Sequence, residues 1–384
     1  MKRRLVVLTE IIAPYRIPVF NALARHEGID LHVIFLAEND PELRDWLVYK
    51  DEIRFSYQVL PSWRQRFAGH NFLLSLGLKS ALQQTAPDTI LCGGYNYMAS
   101  WMAMRWARRN RTPFILWVES TERDFRSRNR LIEFLKTKFL SRCSAFLVPG
   151  KSSHQYVKNY GAREEKIFTA PNAVDTELFA RRASAIRQDD GKQRHALELP
   201  PRFFLFVGRL IREKGVFDLL EAYGKLTSEL RAAVGLVLVG EGTARSELVQ
   251  LANRIEPGQV QCTGFVQREQ LATYYALAEA FVFPSHTDPW GLVVNEAMAC
   301  GLPVISSDAA GCTADLVEDN WNGRVVGRGD VAQLAAAMEE LGRDPALCAQ
   351  MGNHSQERIL RYSPEACADG LASAALSPRV RGHE

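Results

Sequence analysis

Short apolar runs of four or five residues alternate along this chain with longer segments whose apolar positions recur at helical spacing. Leu5 to Leu8, Phe114 to Val118, Phe203 to Val207, Ala280 to Phe283 and Val304 to Ser306 each read as a strand buried on both faces. Between them, patterns such as Val216, Leu219, Leu220 and Tyr223 read as helices. Strand and helix alternate on both sides of Ala180–Arg202, the least apolar stretch. The pattern predicts an α/β chain of two doubly wound parallel sheets: residues 1–180, a linker at 181–200, a second domain at 201–362, and a tail at 363–384. A length of 384 residues, 47% hydrophobic and 24% charged, fits two soluble globular cores.

The segment from Phe281 to Asp308 carries the most chemistry. A strand leads into a loop rich in Pro, Ser and Asp, then into a helix that opens near Gly291 and closes at Gly301. Asp288 and Glu296 are eight positions apart and flank that helix start. Free N–H groups at a helix N-terminus suit a phosphate, and carboxylates suit sugar hydroxyls. A second reading stays open: Asp288 followed by Pro289 also fits a helix cap, and Glu296 fits a solvated helix residue. Upstream, the strand Phe203–Val207 stops at Gly208, followed by Arg209, Lys214 and Gly215. Two cations past the carboxyl end of a strand are placed to neutralise a diphosphate.

VGRLIREKG, LVLVGEGTARSEL, CTGFV and FPSHTDPWGLVVNEAMACGLPVISS, in this order, resemble the C-terminal half of glycosyltransferase family 4, retaining nucleotide-sugar transferases of GT-B fold; PNAVDTELF (Pro171–Phe179) is similar to that family's inter-domain segment. The likeness is specific from about Phe146 to Val326 and topological before that. It implies two Rossmann-like domains facing across a cleft, with the last helix, about Pro364 to Ala375, returning to the first. By the resemblance, Arg209 and Lys214 meet the donor diphosphate and Glu296 the ribose, while Asp288 takes the place of a glutamate that contacts the transferred sugar. The N–H groups of Trp290, Gly291 and Leu292 face sugar and phosphate, Gly240 and Gly242 form the turn beside the nucleotide, and backbone near Phe265 and Val266 grips the base. Aspartate in place of glutamate moves the carboxylate by about 1.5 Å, so the donor sugar is not inherited from the family.

The first loop has Ala13, Pro14, Tyr15 and Arg16 where many members carry paired glycines, a pattern associated with bacterial polysaccharide-assembly transferases. Arg16 either supplies by side chain what glycine amides supply elsewhere or caps the loop. Glu119, just after Phe114–Val118, sits at the carboxyl edge where open sheets bind ligands; it hydrogen-bonds the sugar, orients the acceptor hydroxyl or opens the next loop.

The seven cysteines form no CxxC and the eight histidines no HxxxH, so neither a disulfide framework nor a zinc site is expected. No cofactor or metal is expected, the two cations and helix amides stabilising the leaving diphosphate. Up to Ala180 there are 26 basic and 18 acidic residues, net +8; thereafter 21 and 26, net −5. The basic charge gathers in Arg105–Arg111 and in Arg123, Arg126, Arg128, Arg130, Lys136, Lys138 and Arg142, interleaved with Trp101, Trp106, Phe125, Phe134 and Phe139. That pattern fits either contact with an anionic cytoplasmic leaflet or solvated helix faces with their aromatics in the core. It matches no nucleic-acid-binding module. The apolar run after Lys2, Arg3 and Arg4 is too short for a signal peptide or a span, so a cytoplasmic, peripherally attached protein is expected.

The expected function is transfer of a sugar from a UDP- or GDP-sugar to a hydroxyl of a glycan or polyprenyl-linked acceptor in surface polysaccharide or lipopolysaccharide synthesis, with retention. A sugar-nucleotide epimerase of the same architecture and a non-catalytic donor-binding subunit are the alternatives.

Overall fold

A computed structural model of the chain describes residues 2–40, 46–67, 70–123, 130–255 and 258–380. The chain divides into two compact units, Met1–Ala173 with Pro364–Glu384, and Val174–Ser363.

The first unit is built on a seven-stranded parallel sheet: β1 (Arg3–Thr9), β2 (Ile29–Phe35), β3 (Ser56–Val59), β6 (Thr89–Cys92), β7 (Phe114–Trp117), β8 (Ala145–Val148) and β9 (Ile167–Thr169), in the order β3-β2-β1-β6-β7-β8-β9. An antiparallel hairpin, β4 (Ser62–Phe67) and β5 (His70–Ser75), is inserted between β3 and β6 in the chain. Every residue of β6, β7 and β8 is buried, because crossover helices cover both faces of a parallel sheet. The helix Pro364–Leu376 belongs to this unit, placing Cys367, Leu371 and Ala372 in one apolar cluster with Ile17 and Phe20 of the helix Ile17–Arg25. At Gly370 an added Cβ would fall 2.3 Å from the Thr169 carbonyl oxygen, so only glycine allows the helix this close to β9.

The second unit has a six-stranded parallel sheet of β10 (Phe203–Val207), β11 (Gly235–Val239), β12 (Val260–Gly264), β13 (Ala280–Phe283), β14 (Val304–Ser307) and β15 (Gly323–Val326), in the order β12-β11-β10-β13-β14-β15. From β10 the chain winds outward through β11 and β12, then crosses to β13 and winds the other way. The crevice between the carboxyl ends of β10 and β13 is thus a topological switch point, where sheets of this kind bind ligands. In the first unit the equivalent point lies between β1 and β6.

The expected linker at 181–200 needs correction. Helices run over Thr176–Arg187 and Asp190–Ala196, and the units divide at Ala173/Val174 instead. Thr176, Phe179 and Ala183 form a narrow buried stripe, and the Arg187 guanidinium donates to the Ala276 and Cys300 carbonyls at 2.9 and 2.7 Å. The stretch reads as polar because most of the other positions of this helix are charged or small and at least partly exposed. Asp175 caps it, its carboxylate accepting the Leu178 N–H at 2.9 Å.

Candidate functional site

The loops after β10 and β13 come together at the second switch point because glycines let backbone meet backbone. Gly215, at φ +69°, ends the turn Arg212–Lys214 and starts the helix Val216–Gly224; a Cβ there would lie 2.1 Å from the Pro284 carbonyl oxygen. The Glu213 carbonyl accepts from the His286 N–H at 2.9 Å and from the Ser285 hydroxyl at 3.3 Å. This lacing brings the Lys214 ammonium onto the Asp288 carboxylate, both side chains being largely buried. The other Asp288 oxygen, Oδ1, accepts the Trp290 N–H at 3.1 Å.

The helix itself runs Leu292–Ala299 with Gly291 as its cap residue at φ +100°. Asp288 and Pro289 therefore lie before the helix rather than capping it. Trp290 is buried, and its indole N–H donates to Asn295 Oδ1 at 2.9 Å. The expectation that the Trp290 amide faces a ligand is corrected, since that N–H is spent on Asp288. The N–H groups of Gly291 and Leu292 have no hydrogen-bond partner among the described residues. Arg209, at the end of β10, is exposed and makes no ion pair among the described residues. Open amides past β13 and a guanidinium without an ion pair past β10 are groups of the kind that can meet an anion.

Glu296 is half-buried one turn into the helix rather than solvated. The Tyr275 hydroxyl, reaching from the helix Arg268–Leu277, donates to its Oε2 at 2.8 Å. Burial pushes the Glu296 carboxyl up to about 7, against the pull of the Tyr275 hydrogen bond and the charge of Arg268.

Gly240 owes its identity to the backbone of Gly208. A Cβ on Gly240, at φ +143°, would sit 1.9 Å from the Gly208 carbonyl oxygen. The two loops are joined by Gly208 N–H to Val239 C=O at 3.0 Å and Leu210 N–H to Glu241 C=O at 2.8 Å. The structure thus gives the turn at Gly240 a packing reason independent of any nucleotide. Val266 is half-buried in the loop after β12, next to the exposed Phe265.

Arg16 and Glu119 belong to the first unit and are ion-paired there. The Arg16 guanidinium lies 3.8 Å above the centre of the Trp117 ring. Burial alone would lower the Arg16 pKa, but the charge of Glu119 and its hydrogen bond raise it, so the cation is held firmly. The Ser153 hydroxyl donates to the Glu119 carbonyl at 3.1 Å.

Tyr275, Trp117 and the pair His286–Asp218, whose Nε2 and Oδ2 are 2.6 Å apart, were not expected. His286 stands two residues before Asp288, and its place in the loop was the available signal. No group of three or more His, Cys, Asp or Glu side chains among the described residues is placed to hold a metal ion. No helix among the described residues is long and apolar enough to cross a membrane.

Two family models match in succession: "Glycosyltransferase Family 4" over residues 19–178 and "Glycosyl transferases group 1" over residues 187–358. The chain belongs to glycosyltransferase family 4. It is 34% identical over 200 residues to an alpha-D-kanosaminyltransferase of Streptomyces kanamyceticus, covering 52% of this chain and 50% of that one. Over 250 residues it is 30% identical to a D-inositol 3-phosphate glycosyltransferase of Streptomyces bingchenggensis, covering 61% and 52%. The chain thus spans about half the length of these curated relatives. Anabaena HepE, solved with UDP and glucose, superposes with a TM-score of 0.73 over 97% of this chain and 98% of that one, at 19% identity, which makes it a likeness of fold. In this family-4 chain the switch points lie between β1 and β6 in one sheet and between β10 and β13 in the other.

Proposed function

We propose that this protein transfers a sugar from a nucleoside-diphosphate sugar, with UDP or GDP as carrier, to a hydroxyl of a glycan or polyprenyl-linked oligosaccharide, keeping the anomeric configuration. The observation that carries the donor reading is the open pair of N–H groups at Gly291 and Leu292, past the carboxyl end of β13, with Arg209 free of ion pairs past the end of the adjacent β10. A diphosphate is the ligand such a cradle favours, and a UDP-bearing neighbour of the same fold supports that choice. Glu296 accepts from ribose hydroxyls and Asp288 lies toward the transferred sugar. In the transfer, the bond from the anomeric carbon to the diphosphate oxygen breaks with its electron pair going to the diphosphate. The acceptor hydroxyl oxygen bonds to that carbon, and its proton passes to the departing phosphate. Arg209 and Lys214 stabilise the charge that develops there without calling on a metal.

Calorimetry with UDP- and GDP-sugars tests the donor site: one class binds, and Arg209→Gln weakens it about tenfold, the worth of one charge-assisted hydrogen bond. Incubation with donor and glycan acceptors then tests transfer. Release of nucleoside diphosphate only with acceptor present, unaffected by a chelator, is the expected result. An isomeric nucleotide sugar formed without acceptor overturns the proposal in favour of epimerisation.

A further inference from the structure

The switch point of the first sheet, between the carboxyl ends of β1 and β6, holds side chains that the donor reading does not use. Glu10 directly follows β1, and the loop Gly93 to Tyr97 follows β6. Leu8 and Cys92 are partners where the pairing ends, and a Cβ on Gly93 would lie 3.4 Å from Thr9 Oγ1, so the two loops leave the sheet side by side. Gly94, at φ +107°, has open space where a side chain would stand. Burial and the charge of Glu10 raise the pKa of the Tyr97 phenol, which is thus a neighbour of that carboxylate and keeps its proton. Arg105, Arg108 and Arg109 lie two to three turns farther along the helix Met98–Arg109, which Tyr97 caps. Phe125, Arg126 and Arg128 of the basic stretch lie outside the described residues, as do residues 381–384 of the tail.

The hairpin β4–β5 supplies the third group. Leu73 is buried in one cluster with Leu8, Leu36 and Leu60, and the Ser75 hydroxyl donates to the Leu36 carbonyl at 3.1 Å, so one face of the hairpin is pressed onto the unit. Arg64 stands opposite Leu73 and shares that inward face, while Trp63 and Leu74, opposite each other, are exposed on the other. From there the Arg64 Nη1 and Nη2 groups donate to Glu10 Oε1 at 3.1 and 3.2 Å, and Nη1 also donates to Asp40. The Arg64 and Asp40 side chains are 13% and 3% accessible, and Glu10 remains 31% accessible. Both bonds from Arg64 to Glu10 fall on Oε1, so Oε2 keeps acceptor capacity. Arg64 divides one charge between two acids, and Glu10 has no second cation partner among the described residues.

We propose that Glu10 receives hydroxyl groups of the acceptor's terminal sugar, that Arg64 holds it in position from the hairpin, and that this sugar carries neither carboxylate nor phosphate. Carboxyl ends of strands at a switch point are where such sheets bind ligands, and a fixed, accessible carboxylate oxygen suits donors such as sugar hydroxyls. Charge sets the class of ligand. An acidic sugar would bring its anion against Glu10, and Arg64 is already engaged by two acids, so like charges would meet without a free cation between them. Arg16, in the same unit, is likewise taken by Glu119. The inference rests on the transfer reading only in calling this ligand the acceptor. Its readout is binding of a sugar without turnover, so failure here and failure of transfer appear in different measurements.

The test is saturation-transfer NMR on the full chain with the methyl glycosides of glucose, galactose and mannose, each beside its uronic-acid counterpart, with UDP and GDP present to fill the donor site. The wild type binds at least one neutral glycoside and prefers it to the matching uronide by about tenfold or more. Glu10→Gln weakens the neutral ligand about tenfold and removes most of the preference, a change in charge selectivity that loss of packing alone does not produce. Glu10→Asp keeps the charge but draws it back, so the neutral ligand weakens while the uronide stays excluded; this variant carries the test if Glu10→Gln does not fold. Arg64→Gln weakens the neutral ligand and Arg64→Lys restores part of it, as expected of a residue that acts through Glu10. Four results overturn the proposal: no neutral glycoside bound by the wild type, a uronide bound as well as its neutral partner, affinity and preference unchanged in the Glu10 variants, or Arg64→Gln without effect.

Discussion

Lys214 and Asp288, seventy-four positions apart in sequence, form a largely buried ion pair at the switch point of the second sheet. The other oxygen of Asp288 is held by the Trp290 N–H at 3.1 Å. On the proposed donor reading, an arriving diphosphate competes with Asp288 for Lys214, and releasing the lysine frees a carboxylate oxygen for a sugar hydroxyl. The pair reads as a latch that donor binding opens.

The two halves of the latch should respond oppositely to neutral substitution. Lys214→Gln removes a cation from the diphosphate and is expected to weaken UDP or GDP binding about tenfold. Asp288→Asn removes the competitor, so nucleotide binding stays equal or tightens while turnover of the full donor falls. Calorimetry with the nucleotide alone separates the effects, and a loss in Asp288→Asn as large as in Lys214→Gln would falsify the latch.

A second expectation concerns pH. Glu296 titrates near 7 in the folded protein and near 4.5 as an ordinary glutamate, so the native state holds the extra proton between those values. Stability then falls as pH rises from about 4.5 through about 7 and levels off above, because the native form binds more protons than the unfolded one. Glu296→Gln removes that slope. Its melting temperature should exceed the wild type's at pH 8 and approach it at pH 5, the gain in stability being a few kcal/mol at most since each pKa unit is worth about 1.4 kcal/mol. Ribose recognition by the carboxylate adds the opposite trend in ligand binding: donor affinity of the wild type rises through pH 7, and that of Glu296→Gln is low and flat. Parallel melting and binding curves for the two proteins would count against both trends.

How far this site could be read from the chain depends on whether its contacts are local. β10 and β13 are uninterrupted apolar runs ending in glycine or proline, so both strands and the places of Arg209, Lys214 and Asp288 past their carboxyl ends follow from pattern, while the adjacency of the two strands does not. The helix Thr176–Arg187 did not, since three buried residues in twelve make it look like a linker, and its burial depends on Arg187 reaching the Ala276 and Cys300 carbonyls. The hairpin β4–β5 was invisible for a related reason: it lies outside the main sheet and carries polar residues such as Arg64 and Gln65. Tyr275 looks like core, and only the folded chain brings its hydroxyl to a carboxylate twenty-one positions away.

Gly240 separates a packing role from a ligand role. An alanine methyl there would stand 1.9 Å from the Gly208 carbonyl oxygen on a backbone at φ +143°, so the loops after β10 and β11 must part. Gly240→Ala should cost more than about 2 kcal/mol of stability, seen as a lower melting temperature without any ligand. Gly215→Ala, with its Cβ 2.1 Å from the Pro284 oxygen, should behave likewise and also unseat Lys214 from Asp288. An unchanged melting temperature for Gly240→Ala, with donor binding lost, would instead give that glycine to the nucleotide.

Arg16 is tied by charge to Glu119 and by its flat face to Trp117, and lysine can reproduce only the first tie. The stacked guanidinium contributes about 1–2 kcal/mol at this degree of burial, in addition to the ion pair. Arg16→Lys should therefore lose part of the stability and Arg16→Gln more, the latter leaving Glu119 without its cation. A role confined to holding this loop predicts that thermal midpoint and turnover decline in step through Arg16→Lys and Arg16→Gln while the Michaelis constant for donor stays put. A role on the donor phosphate predicts the reverse order of sensitivity: Arg16→Lys keeps the Michaelis constant near the wild-type value, because any cation serves a phosphate, and Arg16→Gln raises it about tenfold. Measuring both constants for both variants decides between them, and a Michaelis constant indifferent to Arg16→Gln removes this arginine from the donor site.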